Sequence, residues 1–112
     1  MKKCAIGLFL GLAVWAGGRR PIPWEKNPLL AGQALYRENC AVCHDIDRAR
    51  SKKPGPSFYQ LFQREKMPLG NMKPNREYIK VRVKFGGPLM PAFRGTLTDA
   101  EIDTLIDYMA SK

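Results

Sequence analysis

At 112 residues the chain can form one globular domain but not two. Its 19 Lys and Arg against 10 Asp and Glu leave a formal net charge of +9, enough on its own to permit contact with nucleic acid or an anionic membrane. Nucleic-acid binding is set aside because no aromatic-basic motif accompanies the charge and because the N-terminus carries the marks of export.

Those marks are Lys2 and Lys3, an apolar run from Ala5 to Ala16, and the small residues Ala16, Gly17 and Gly18. The run is shorter than the roughly 20 apolar residues that span a bilayer. Val14 and Ala16 stand where a signal peptidase favours small side chains, which predicts a signal peptide over 1–16. The competing reading is an uncleaved N-terminal anchor, since Arg19 and Arg20 follow the run closely. Cys4 precedes the run and is assigned no role. Residues 17–26 hold Gly-Gly, Arg-Arg, two prolines and Trp24, the composition of a linker. The folded domain is then 27–112. Without the signal about 96 residues remain, a size at which a core of side chains alone is marginal and a buried cofactor would reinforce it.

Asn27 can cap a helix with Pro28 at its first position, where the missing N–H costs nothing, and the helix runs through Leu29 to Glu38. Gly32 interrupts it at a cost of about 1 kcal/mol relative to alanine, which predicts that another backbone comes close there. Tyr36 lies on the same face, one turn on. The stretch from Asp45 to Lys73 is rich in proline, glycine and basic residues without periodicity, and reads as loops.

Tyr78 to Phe85 alternates apolar Ile79, Val81, Val83 and Phe85 with Lys80, Arg82 and Lys84, the local pattern of a strand. No other segment offers a matching strand, and a lone strand leaves its backbone groups unpaired. With Asn75 as cap and Gly86-Gly87 as stop, a ten-residue helix is the better prediction. The last element is the clearest: Thr98-Asp99-Ala100-Glu101 is a capping box, followed by Ile102, Leu105, Ile106 and Met109 at helical spacing. It predicts a helix from Asp99 to about Ala110, its apolar stripe set against the glycine-bearing face of the first.

Chemistry concentrates at Cys40-Ala41-Val42-Cys43-His44. Two cysteines three apart with a histidine immediately after is the attachment pattern of c-type haem. Each thiol can add to one vinyl group, and a ring nitrogen of His44 can supply the proximal iron ligand. Three other readings are weaker. A zinc site wants four ligands, and after export only these three soft or imidazole groups remain. A thioredoxin-like pair wants a preceding strand. A Cys40–Cys43 disulfide would close a very small, strained ring.

His44 is the one histidine of the chain, which excludes bis-histidine ligation. The sixth position is left to Met67, Met72, Met90, Met109, a lysine, or nothing. Met109 falls on the core stripe of the final helix, where packing accounts for it. Met90 is the best placed, because Gly86-Gly87-Pro88-Leu89 makes an irregular turn that can swing a thioether across a haem face.

These features together resemble a class I cytochrome c of bacterial type. The resemblance covers about residues 28–110 and rests on the Gly32–Tyr36 helix, Cys40 to His44, Gly55-Pro56, Gly86 to Phe93 with Met90-Pro91, and the closing helix ending in Tyr108-Met109. It implies an all-α fold of three to four helices around one haem c attached through two thioethers. It also implies a crossing of the first and last helices at Gly32, Met90 as the sixth iron ligand, and a Pro56 carbonyl that accepts the other ring N–H of His44. The chain departs from the pattern in the alternating Tyr78–Phe85 segment and in a second Met-Pro pair at Met67.

A His/Met iron has no free position for a substrate, so the expected function is single-electron transfer between protein partners in the periplasm, with no enzymatic activity. The alternatives are a haem-bearing subunit of a larger periplasmic oxidoreductase and, if Met90 is absent from the iron, a ligand-binding or peroxidatic haem protein. From Arg48 to Arg94 there are twelve Lys and Arg against Glu65 and Glu77, whereas Asp99, Glu101, Asp103 and Asp107 oppose only Lys112. That asymmetry predicts steering of the basic loops to an acidic redox partner or a membrane surface.

Overall fold

Each helix begins at a side chain that satisfies otherwise orphaned N–H groups. In the computed structural model, which describes residues 26–112, the Asn27 carboxamide oxygen accepts from Leu29 N–H at 3.0 Å and opens α1 (Pro28–Asn39), with proline in its first turn. Asn75 does the same for α2 (Arg76–Phe85), accepting from Tyr78 N–H at 2.8 Å. Thr98 opens α3 (Asp99–Ala110) with both halves of a capping box: Glu101 N–H donates to its hydroxyl at 3.2 Å, and its own N–H donates to the Glu101 carboxylate at 2.7 Å. One short 3₁₀ turn, Leu61–Gln63, is the single regular element between α1 and α2. The described residues contain no strand, only an isolated antiparallel pairing of Gly87 with Met90, so the fold is all-α. The signal peptide expected over 1–16 and all of the 17–26 linker but Lys26 lie outside the described residues.

The alternating segment is therefore helical, and its packing explains the pattern. Ile79 and Val83, four apart, are buried, whereas Val81 and Phe85 are exposed. Gly86 ends the helix at φ +70°, a conformation that side chains with a Cβ resist, and its N–H donates to Arg82 O at 2.8 Å.

α3 is the hub, packed against α1, α2 and the 3₁₀ turn. Ile102, Leu105 and Ile106 are fully buried, and Leu61 beneath them almost so. Burying each such side chain contributes about 1.5–3 kcal/mol, which makes this stripe the main cohesive element. The α1–α3 crossing sits at Gly32: a Cβ there would lie 2.5 Å from Tyr108 Cβ and 2.6 Å from Thr104 O, so the helices meet only because that position has no side chain. Tyr36 and Tyr108 close the contact with ring centroids 5.8 Å apart.

Three ion pairs match the register of α2 on α3. Arg76 pairs with Asp107 at 2.7 Å, Lys80 with Asp103 at 2.9 Å and Lys84 with Asp99 at 2.9 Å. Both sets step by four residues and run in opposite directions, so antiparallel helices bring all three pairs together at once. Three of the acidic residues that stood isolated in the sequence are thus neutralised by α2, and the asymmetry between basic loops and acidic tail is smaller in space than along the chain.

Candidate functional site

The Cys40–His44 segment continues the end of α1 as one further turn. Cys40 N–H donates to Tyr36 O at 2.8 Å, Cys43 N–H to Cys40 O at 3.1 Å and His44 N–H to Cys40 O at 2.9 Å. Both cysteines are free thiols, Cys40 buried and Cys43 half-buried. Burial, and secondarily the neighbouring Cys43, pushes the Cys40 thiol up to about 11. It stays protonated at neutral pH, which disfavours disulfide exchange. No group of three or more His, Cys, Asp and Glu among the described residues is arranged to hold a metal ion.

His44 is buried and held from several sides. Its Nδ1 lies 2.8 Å from Pro56 O, and since a carbonyl only accepts, Nδ1 carries the proton and donates. The lone pair is then on Nε2, the one ring nitrogen left to bind a metal. Phe58 stacks on the imidazole at 4.2 Å and 21°. Burial lowers the His44 pKa, the Lys53 charge lowers it further, and the bond to Pro56 opposes both. The ring is therefore neutral under ordinary conditions, as ligation requires.

The carbonyls of the turn are also held. His44 O accepts from the buried Tyr36 hydroxyl at 2.6 Å. Lys53 Nζ donates to Ala41 O at 2.5 Å and to His44 O at 3.3 Å, and it pairs with Asp45 at 3.3 Å. Gly55 N–H donates to Cys43 O at 2.7 Å, and Phe58 N–H to Asp45 O at 2.7 Å, so the loop carrying Pro56 is laced to the turn carrying His44.

The methionines are separated by their surroundings. Met109 is buried in the α3 stripe, and Met72 is exposed with its sulfur 3.5 Å from the Asn75 amide. Met67 and Met90 are both half-buried against the core. Met90 lies in a tight turn in which Gly87 N–H donates to Met90 O at 2.9 Å and Met90 N–H to Gly87 O at 3.3 Å. Of the expected site residues, Cys40, Cys43, His44 and Pro56 form one hydrogen-bonded unit. Met90 joins them only through the shared apolar core.

Reading the sequence missed three residues of this unit: the Tyr36 hydroxyl, Lys53 and Phe58. Tyr36 was visible as a partner of Gly32 on one helix face but not as a donor to the turn. The other two carry no local signal beyond lying near Pro56.

The donor set fits a covalently attached haem: two free thiols on one turn and an imidazole whose only available nitrogen is fixed by a hydrogen bond on the other. Residues 27–109 match the family model of cytochrome c oxidase, cbb3-type, subunit III. The chain belongs to this family of c-type cytochromes. It is 30% identical over 81 residues to cytochrome c6 of Diacronema lutheri, covering 72% of this chain and 92% of that protein. It is also 30% identical over 82 residues to cytochrome c6 of Euglena viridis, covering 73% and 90%. No solved structure matches significantly. As a class I monohaem cytochrome, the protein carries covalently bound haem c and is an electron carrier rather than an enzyme.

Proposed function

We propose that this cytochrome is an exported, periplasmic carrier that passes single electrons between protein partners through a haem c held by thioethers at Cys40 and Cys43, with His44 and Met90 as axial ligands. The observation that carries the reading is the Nδ1–Pro56 hydrogen bond, which leaves Nε2 of a buried, neutral imidazole as the ligating atom. Haem, when bound, supplies the Fe(III)/Fe(II) couple. The chain's residues set the conditions for that couple. Pro56 orients His44 and raises its basicity, Phe58 and the core keep water from the ring, and the Gly86–Met90 turn presents a thioether. With His44 and Met90 both holding the iron, the site would have no place for a substrate.

Docking would use the cations outside the α2–α3 pairs. Arg48, Arg50, Lys52, Lys66 and Lys73 are exposed, and none is in an ion pair among the described residues. They supply the field for steering to an acidic partner. Val42, between the two cysteines, and Leu89, beside Met90, are exposed apolar side chains suited to a brief, largely unspecific contact. No described helix is long and apolar enough to cross a membrane.

A second reading, a haem-bearing subunit of a larger periplasmic oxidoreductase, is favoured by the description of the matching family as an oxidase subunit. Native purification separates the two, since a carrier elutes alone and a subunit brings its complex. The test of the site is the absorption spectrum of periplasmically expressed protein beside Met90→Ala and Met67→Ala. Loss of the weak red band of a methionine–Fe(III) bond in Met90→Ala only is the expected result. A five-coordinate wild-type iron that binds CO readily would make the protein a ligand-binding haem protein instead.

A further inference from the structure

Arg82 is the cation of α2 that stands apart from the ion pairs with α3. Its neighbours Arg76, Lys80 and Lys84 face Asp107, Asp103 and Asp99, whereas Arg82 is in no ion pair among the described residues. Its guanidinium is directed at neutral oxygens: Nη2 donates to the Tyr78 hydroxyl at 2.9 Å, and Nη1 donates to Gly86 O at 3.3 Å. The group lies over the Tyr78 ring, 5.6 Å from its centroid, and so close to Gly87 that a Cβ there would run into Nη1.

Gly86 and Gly87 form the near wall of the turn that carries Met90. The turn is closed by the reciprocal Gly87–Met90 hydrogen bonds, and Gly86 is packed so tightly that a Cβ would stand 2.5 Å from Met90 O. Beyond Met90 the chain is tied back to α2, with Phe93 N–H donating to Val83 O at 2.9 Å and Arg94 N–H to Lys84 O at 3.2 Å. The segment from 86 to 94 is thus anchored at its far end by backbone bonds. At its near end it is held by the Gly86 N–H to Arg82 O bond and by the Arg82 side chain.

We propose that Arg82 is a positioning residue for the sixth iron ligand, tying the Tyr78 hydroxyl to the Gly86 carbonyl and so holding the turn from which Met90 reaches the iron. The inference rests on the reading of Met90 as that ligand. A methionine is a weak ligand on a flexible side chain, so its hold on the metal depends on how far its backbone can move away. A guanidinium spanning two points of the helix–turn junction reduces that movement without touching the iron.

The test uses oxidised, full-length holoprotein titrated with imidazole, which competes for the sixth position, while the red methionine–Fe(III) band is followed. Arg82→Gln should bind imidazole about 3–10-fold more tightly than wild type, the change expected from losing one to two modest hydrogen bonds. Arg82→Lys should recover part of the difference. Tyr78→Phe, which deletes a single hydroxyl, should move affinity in the same direction and serves if Arg82→Gln does not fold. Arg37→Gln, exposed on α1 and in no ion pair among the described residues, should match wild type. Arg82→Gln with wild-type imidazole affinity, whatever its melting temperature, overturns the proposal while leaving Met90 as ligand. A band that survives Met90→Ala overturns the Met90 reading, and this inference with it.

Discussion

Gly55 lies against the imidazole of His44, so close that a Cβ at position 55 would stand 2.5 Å from Nδ1 and 2.7 Å from Cys43 O. The same Nδ1 donates to the carbonyl of the next residue, Pro56. The ring is therefore gripped between a backbone that has no room for a side chain and a carbonyl that fixes its rotation. Gly55→Ala should push the ring off Pro56 O and destabilise the holoprotein by about 1–3 kcal/mol, the usual cost of overpacking. Denaturant unfolding followed by haem absorbance reads this. A stability equal to wild type would mean that the loop yields freely and does not hold His44.

Gly32 gives a second, sharper case, because helix propensity and packing pull in opposite directions there. In an exposed helix, Gly→Ala gains up to about 1 kcal/mol. At the α1–α3 crossing the new methyl meets Tyr108 Cβ and Thr104 O at 2.5 and 2.6 Å. Gly32→Ala should therefore lower stability, and Gly32→Val should lower it more, by about 1–3 kcal/mol or above. A stabilised alanine variant would show that the helices part without cost, contrary to the close packing of this crossing.

The features legible in the sequence are those with a local cause. Asn27, Asn75 and Thr98 announce three helix starts because a capping side chain acts within three residues. The Cys40–His44 spacing announces the cofactor because the chemistry needs those groups on one turn. The α2 segment shows where local reading is weak: apolar residues at 79, 81, 83 and 85 satisfy a period of two, yet only Ile79 and Val83 enter the core. Helix wins over strand there because the chain offers no partner strand, a global consideration. The pairing of Arg76, Lys80 and Lys84 with Asp107, Asp103 and Asp99 was not legible, since each set is periodic but nothing local says that they face each other. Leu61 and Ile46 escaped for the same reason: each is buried by distant segments within aperiodic loops.

The paired charges between α2 and α3 give the stability a defined pH dependence. Hydrogen bonding from Lys84 holds the Asp99 carboxyl below its ordinary value, and the hydrogen bond that Lys80 donates to Asp103 holds its ammonium above its own. A lowered carboxyl contributes stability that is present above the unfolded value of about 3.9 and is lost as pH falls through the folded value. A raised ammonium contributes stability that is complete below about 10.4 and is lost as pH rises through its folded value. Thermal unfolding of Asp99→Asn, which removes the carboxylate paired with Lys84, should thus converge with wild type in acid and fall below it at neutral pH. The gap should shrink in high salt, because these pairs are partly exposed. A gap independent of both pH and salt would assign the effect to helix capping near Thr98 rather than to the pair.

Tyr36 links the helix crossing to the haem-attachment turn, since its ring packs on Tyr108 and its hydroxyl donates to His44 O. Burial, and then the charge of Asp45, raises this phenol to about 12, so it remains a donor across the whole working range of pH. Tyr36→Phe keeps the ring contact and removes only the donor. The His44 carbonyl is not left bare, because Lys53 Nζ stands 3.3 Å away and can close in. The loss should accordingly be about 0.5–1.5 kcal/mol, the worth of one hydrogen bond, rather than the larger penalty of an unsatisfied buried acceptor. The double variant Tyr36→Phe with Lys53→Met removes both donors and should lose more than the two single changes added together. A double-mutant cycle on unfolding free energy measures that excess. Strict additivity would mean that water replaces the lost donors, and that the Cys40–His44 turn is held from the Pro56 side instead.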